Sequence, residues 1–199
     1  MKIAPQKQEH IIAAAIRRFA HFGIQKTTLT EIADDVAISK QALFYYFPDK
    51  PSLIAAVEEK IVGEYITRVE RGFAQSGNVE EALVNLLEQR KRLLEQYYML
   101  VAALINSGSA AQNRNMEDVK KKMQAKEWTL VTVLLQRGME AGELKALDAA
   151  KTSALLLETL SAFAQCAIEG VSIPDPKMCG RLFLKQKEVL HLFYNGLKS

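Results

Sequence analysis

Apolar residues recur every three to four positions along this chain, and nowhere do they alternate with polar ones for long enough to make a strand. The pattern predicts an all-α protein. A first helix over residues 5–22 opens at Pro5, which suits a first turn, and carries Ile12, Ala15, Ile16, Phe19 and Phe22 along one stripe. Gly23 offers the left-handed residue that closes a helix. Two short helices follow over residues 30–37 and 40–46, the first capped by a threonine of Thr27-Thr28-Leu29-Thr30 and the second by Ser39. Asp49 and Pro51 mark a stop and restart into a helix over residues 50–75. Longer helices are expected over 79–106, 116–141, from an Asp148 cap to 169, and over 177–197, with 107–115 as a loop or short irregular helix. That makes about nine helices in all.

Helices of two turns are not stable alone. Two of them, joined by about three residues and braced by the first helix, make a helix-turn-helix. Ile32, Ala33, Val36, Ile38, Leu43 and Phe47 would face inward, with the small Ala33 at the crossing. Lys40, Gln41, Phe44 and Tyr45 are then left pointing outward from the third helix. Exposed aromatic and amide side chains on so short a helix are hard to explain as folding devices, though an aromatic such as Tyr45 taken alone is as often packed as functional. They suit a major groove, where an amide or lysine reads base edges and phenol hydroxyls reach phosphates.

At these residues the sequence resembles the TetR (tetracycline-repressor) family of transcriptional regulators. The matching run is Thr27-Thr28-Leu29-Thr30-Glu31-Ile32-Ala33, then Ile38-Ser39-Lys40, then Leu43-Phe44-Tyr45-Tyr46-Phe47-Pro48-Asp49-Lys50. A fainter similarity lies in Arg137-Gly138-Met139-Glu140-Ala141-Gly142-Glu143-Leu144 before Asp148. The resemblance implies a three-helix DNA-binding head over residues 1–49 and a larger ligand-binding and dimerisation domain over 50–199. It places Ser39 and Lys40 at the turn into the recognition helix, Gln41 and Ala42 facing bases, and Tyr45 and Tyr46 on phosphate or sugar. Lys50 matches a phosphate-contacting lysine, and Thr28 and Thr30 lie where a helix start meets a phosphate. Two positions depart from the family pattern. Ala37 stands at a turn often held by glycine, and Phe44 at a position commonly tyrosine, which favours packing or a thymine-methyl contact there.

Charge changes the picture modestly. With 26 basic and 23 acidic residues the net charge is +3, which excludes polybasic, histone-like binding. The first fifty residues carry seven basic side chains against five acidic, so DNA affinity must come from placement and duplication, and must fall steeply with salt. Cys166 and Cys179 form neither a metal spacing nor a disulfide framework, and His10, His21 and His191 have no ligand partner nearby in sequence. No catalytic residue, metal or cofactor is expected. The N-terminus has no apolar signal core, and the apolar stretches near Tyr97 and Leu155 are too short or interrupted to span a bilayer, so a cytoplasmic protein without membrane contact is expected.

The helix after Asp148 is apolar nearly all round and must be covered on every side. One face can meet its own chain; the other calls for a second copy. Leu156, Leu160, Phe163 and Ala167, with Leu182, Val189, Leu190 and Phe193 of the last helix, are the expected homodimer interface. Tyr97, Tyr98, Leu104, Trp128, Met139 and Phe163 are candidate linings for a largely apolar small-molecule effector. Arg90 falls on an apolar stripe and is expected to snorkel to the surface, the alternatives being a buried acid or an anionic ligand as its partner. The resulting reading is a repressor released from a palindromic double-stranded operator by a small ligand. The alternative is a DNA-binding regulator without a small effector, acting as an activator or controlled by a partner. An all-helical enzyme lacks a nucleophile–base pair, a metal cluster or a phosphate loop.

Overall fold

The computed structural model describes the backbone of residues 5–106, 110–168 and 176–199, and the side chains of 6–97, 118–165 and 177–199. Eight helices are described: α1 (Pro5–Phe22), α2 (Leu29–Asp35), α3 (Lys40–Tyr46), α4 (Lys50–Gln75), α5 (Val79–Asn106), α6 (Ala110–Glu140), α7 (Ala149–Ile168) and α8 (Pro176–Leu197). The fold is all-α, as the apolar period requires.

Two helices differ from expectation by more than a residue at an end. Helix α2 begins at Leu29 because Thr28 rather than Thr30 caps it, and Val36 forms its C-cap, so Ala37 lies outside the helix. Helix α6 begins at Ala110, so residues 110–115 are its first turns and no separate short helix exists there. Alanine, glutamine and arginine at 110–114 are good helix formers, which outweighs their lack of an apolar stripe. The count is therefore eight among the described residues instead of about nine. Helix α5 bends at Tyr97, whose φ of −123° and ψ of 23° leave the helical region.

The chain forms two compact units, Met1–Gly63 with Tyr97–Val119, and Glu64–Gln96 with Lys120–Ser199. In the first, Ile11, Ala14, Ala15 and Phe19 of α1 are buried, as are Ile32 and Ala33 of α2, Leu43 of α3, and Leu53 and Val57 of α4. Phe22, expected on the inward stripe, is 51% exposed at the last turn of α1. Its ring lies edge-on to His21 and 5.6 Å beneath the Arg18 guanidinium. In the second unit the core is Tyr65 and Val69, Leu83, Leu86 and Leu87, Val131 and Leu135, Leu156 and Leu160, with Leu182 and Leu190. Among the described residues no helix is long and apolar enough to cross a membrane.

Candidate nucleic-acid interface

The interface is built from the caps upward. Thr28 (φ −105°, ψ 156°) opens α2 with a capping box: the Glu31 amide donates to Thr28 Oγ1 at 3.3 Å, and the Thr28 amide donates to Glu31 Oε2 at 2.7 Å. The Arg18 side chain then grips α2 from α1. Its Nε donates to Asp35 Oδ2 at 2.6 Å, its Nη2 to Oδ1 at 2.9 Å, and its Nη1 lies 3.2 Å from Glu31 Oε1. The hydrogen bonds from Arg18 hold the Asp35 carboxyl below its ordinary range. Those from the Thr28 amide and hydroxyl do the same for Glu31. These three charges are committed to one another, so they fix the geometry of α2 against α1.

The turn between α2 and α3 sets the direction of α3. The Ile38 amide donates to the Ala33 carbonyl at 3.0 Å and the Ala37 amide to the Asp34 carbonyl at 3.1 Å, a Schellman turn. Ala37 takes the left-handed residue of that turn at φ 51°. The equivalent turn after α6 uses Gly142 at φ 73°. A Cβ in this region costs on the order of 1 kcal/mol.

Ser39 then caps α3 by accepting the Ala42 amide at 3.1 Å. Leu43 is fully buried and Phe47, at the C-cap, is 3% exposed, so these two side chains anchor the helix. Lys40, Gln41, Phe44 and Tyr45 stand on the exposed side, with Tyr45 54% and Phe44 38% accessible. The Lys40 ammonium sits 5.7 Å over the Phe44 ring, and Tyr45 meets Tyr46 edge-on at 5.6 Å. The structure thus brings a cation, an amide and two aromatic rings onto one face of α3. Ala42 and Tyr46 are half-buried, Thr28, Thr30 and Ser39 are exposed, and Thr28 and Ser39 already serve as caps. Lys50 is half-buried at the start of α4; burial lowers the pKa of its ammonium, against the opposing pull of Glu31. Asp49 caps α4 by accepting the Ser52 amide at 2.7 Å, as expected.

The expected effector residues are not gathered into one lining by any described contact. Tyr97 is buried at the α5 bend, and Trp128 is 42% exposed with its indole nitrogen donating to the Ala150 carbonyl at 3.1 Å. Met139 Sδ accepts the Leu147 amide, and Phe163 is 39% exposed. The side chains of Tyr98, Leu104 and Ala167 lie outside the described residues. A shallow groove of about 320 Å³ in the second unit is lined by Ile66, Glu70, Ala125, Lys126, Thr129 and Leu130, none of which had been singled out. Of the expected interface residues, Leu156, Leu160, Leu182 and Leu190 are buried within the chain's own core, whereas Val189 and Phe193 are half-buried. Phe163, also expected at the interface, is exposed, and the other large apolar side chains exposed on α7 and α8 are Leu155, Leu184 and Leu192.

One polar group in the second unit reverses an expectation. Arg90 does not snorkel: its Nε and Nη2 donate to the two oxygens of Glu127 at 3.0 and 2.6 Å, and the side chains are only 16% and 1% exposed. Tyr65 donates its hydroxyl to Glu127 Oε1 as well. Burial works against the Arg90 charge, but Glu127 outweighs it and raises the arginine pKa; burial, then the Glu127 charge, raise that of Tyr65. The signal was present in the sequence: Glu127 shares its helical stripe with Val131 and Leu135, so a lone acid and a lone base each sit on an apolar face.

Comparison with known proteins meets this geometry at its N-terminal part first. Residues 11–57 match the family model described as bacterial regulatory proteins, tetR family. The chain is 21% identical over 197 residues to the HTH-type transcriptional regulator RutR of Escherichia coli (strain K12), covering 96% of this chain and 91% of that one. It is 29% identical over 101 residues to the HTH-type transcriptional regulator AcrR of Shigella flexneri, spanning 46% of this chain and 47% of that protein. A transcriptional regulator from Cytophaga hutchinsonii superposes with a TM-score of 0.86 at 25% identity, over 97% of this chain and 99% of the other.

Proposed function

From its membership of the TetR family of DNA-binding transcriptional regulators, which are not enzymes, we propose that the chain acts as a repressor on a palindromic operator and is released by a small, largely apolar ligand. Residues 1–49 are the DNA-reading head, and residues 50–199 bind the ligand and a second copy of the chain. The observation that carries this reading is the outward face of α3, where Gln41, Phe44 and Tyr45 stand exposed on a helix whose buried anchors are Leu43 and Phe47. Gln41, with Ala42 beside it, reads base edges, and Phe44 meets a thymine methyl. Lys40, Tyr45, Tyr46 and Lys50, with Thr28, Thr30 and Ser39 at the two helix starts, position the head on phosphates.

Two heads are needed for a palindrome. The exposed Leu155, Phe163, Leu184 and Leu192 on α7 and α8 support a homodimer through that face, with two half-sites about 34–36 Å apart or a multiple of that. The protein works in the cytoplasm, where its operator is. Ligand binding in the larger domain favours a state whose two heads no longer fit the half-site spacing.

Footprinting on the DNA flanking its own gene, with and without a panel of apolar compounds, tests the reading. Gln41→Ala should change which bases are preferred, at a cost of about 1–3 kcal/mol on the parent sequence. Tyr46→Ala and Lys50→Ala should weaken all sequences alike, and Lys50→Ala, which removes a cation, should also flatten the salt dependence. An unchanged sequence preference in Gln41→Ala would remove the base-reading role, and a one-chain mass at micromolar concentration would remove the dimer.

A further inference from the structure

We propose that Arg68, Asn85 and Gln89 form a carboxylate-binding site between α4 and α5 in the second unit, and that it takes the acid group of a small apolar carboxylic acid. The proposal rests on the effector reading above and narrows it to one chemical class. Its ground is a set of enclosed polar atoms with nothing on them. Arg68 Nε and Nη2, Asn85 Oδ1 and Gln89 Oε1 are all buried and make no hydrogen bond. Gln89 as a whole is only 5% exposed.

The register of the two helices sets these groups close together. A Cβ on Gly72 would fall 1.9 Å from Asn85 Oδ1, so α4 and α5 touch there. Farther along, Tyr65 of α4 and Arg90 of α5 meet on the same carboxylate, so α4 runs back as α5 runs forward. Arg68 lies one turn before Gly72 and Gln89 one turn after Asn85, which sets them side by side at the next level of the seam.

The molecule itself shows what such an edge holds. Arg18 presents Nε and Nη2 to the two oxygens of Asp35, and Arg90 presents the same two nitrogens to the two oxygens of Glu127. Arg68 offers that same pair of donors, enclosed and empty. Glu127 is already engaged elsewhere, with Arg90 donating to both of its oxygens and Tyr65 to one of them besides. A guanidinium edge shut away from water without a counter-charge is costly, whereas a flat two-oxygen acceptor fits it in parallel. The amides of Asn85 and Gln89 can turn their NH₂ ends to the same acceptor. One guanidinium with two neutral amides balances a single negative charge, which selects a carboxylate over a doubly charged phosphate.

The test is thermal melting of the full-length protein without DNA, in acetate, benzoate and octanoate, each against its own amide. At least one acid should raise the melting temperature while its amide does not. Arg68→Met should weaken that acid at least about tenfold and, with no ligand present, melt no lower than the parent, because it removes two buried donors that have no partner. Gln89→Glu supplies an internal carboxylate; it should melt higher without ligand and ignore the acids. Acids and amides shifting the protein alike, no acid shifting it, or Arg68→Met keeping the response would each overturn the site. If Arg68→Met does not fold, Gln89→Glu decides: a lower melting temperature or a retained acid response overturns it. Operator release is measured separately, so an acid that binds without freeing DNA leaves this site standing and removes the effector reading instead.

Discussion

Arg18 and Arg90 make the same two-pronged contact with a carboxylate, one on the surface of the first unit and the other inside the second. The Arg18 side chain and its Asp35 partner are 21% and 34% exposed; Arg90 and Glu127 are 16% and 1%. Near the surface, water and salt screen the attraction, so the Arg18 grip sets direction more than stability. In the interior the same contact is locked in place by the cost of leaving either partner alone. Identical geometry therefore has two consequences. Around α2 it yields a latch that solution conditions can loosen. In the second unit it yields a pin holding Tyr65, Arg90 and Glu127 in one register.

The largest effect should come from breaking the pin on one side. Glu127→Ala leaves Arg90 buried and unpaired, and urea unfolding should report a loss of about 3–5 kcal/mol. The double change Arg90→Met with Glu127→Leu should recover most of it; a double variant as unstable as the single one would mean that packing, not charge, is at stake. Glu58 shows the opposite limit, a carboxylate only 5% exposed, with Oε2 unpartnered and burial raising its pKa from 4.5 to about 7. Between those values the folded chain holds the proton more tightly than the unfolded one. This contribution to stability is therefore fully present below pH 4.5 and falls away as pH rises to 7, by about 3 kcal/mol. Glu58→Gln should abolish that slope and raise stability above neutrality, read from unfolding across the pH range. Ala37→Gly, next to the latch, should add about 1 kcal/mol by relieving the left-handed turn. The smallest effect belongs to Arg18→Met, whose destabilisation should vanish in high salt. Because Asp35 and Glu31 titrate lower when folded, their contribution is present at neutral pH and is lost as the pH falls through the carboxylate range.

Local signals explain what was legible in the sequence. Ser39 and Asp49 cap the helices they were expected to cap, and Leu43 and Phe47 point inward because the apolar period says so. The outward face of α3 was visible for the same reason. Contacts between residues far apart in the chain were not. Arg90 and Glu127 are 37 positions apart, and snorkelling was a sound expectation for Arg90 considered alone. The expected interface on α7 and α8 meets a related limit. On a helix apolar nearly all round, period cannot say which side meets the chain's own core, and Leu156 and Leu160 lie on that side while Leu155 does not. The edge of Arg68 leaves no trace in pattern at all, because its meaning comes from what does not touch it.

Helix α3 has a further consequence. It commits Leu43 and the adjoining Phe47 to the interior, while Lys40, Gln41, Phe44 and Tyr45 stand on its exposed side, touching only their neighbours on the same helix by any described ring contact. Under the proposed base-reading role, the address on DNA is then written in side chains that folding does not constrain. A duplicated copy of this gene can drift to a new operator in a few single substitutions without passing through an unstable ancestor, and an engineer can recode it along the same route.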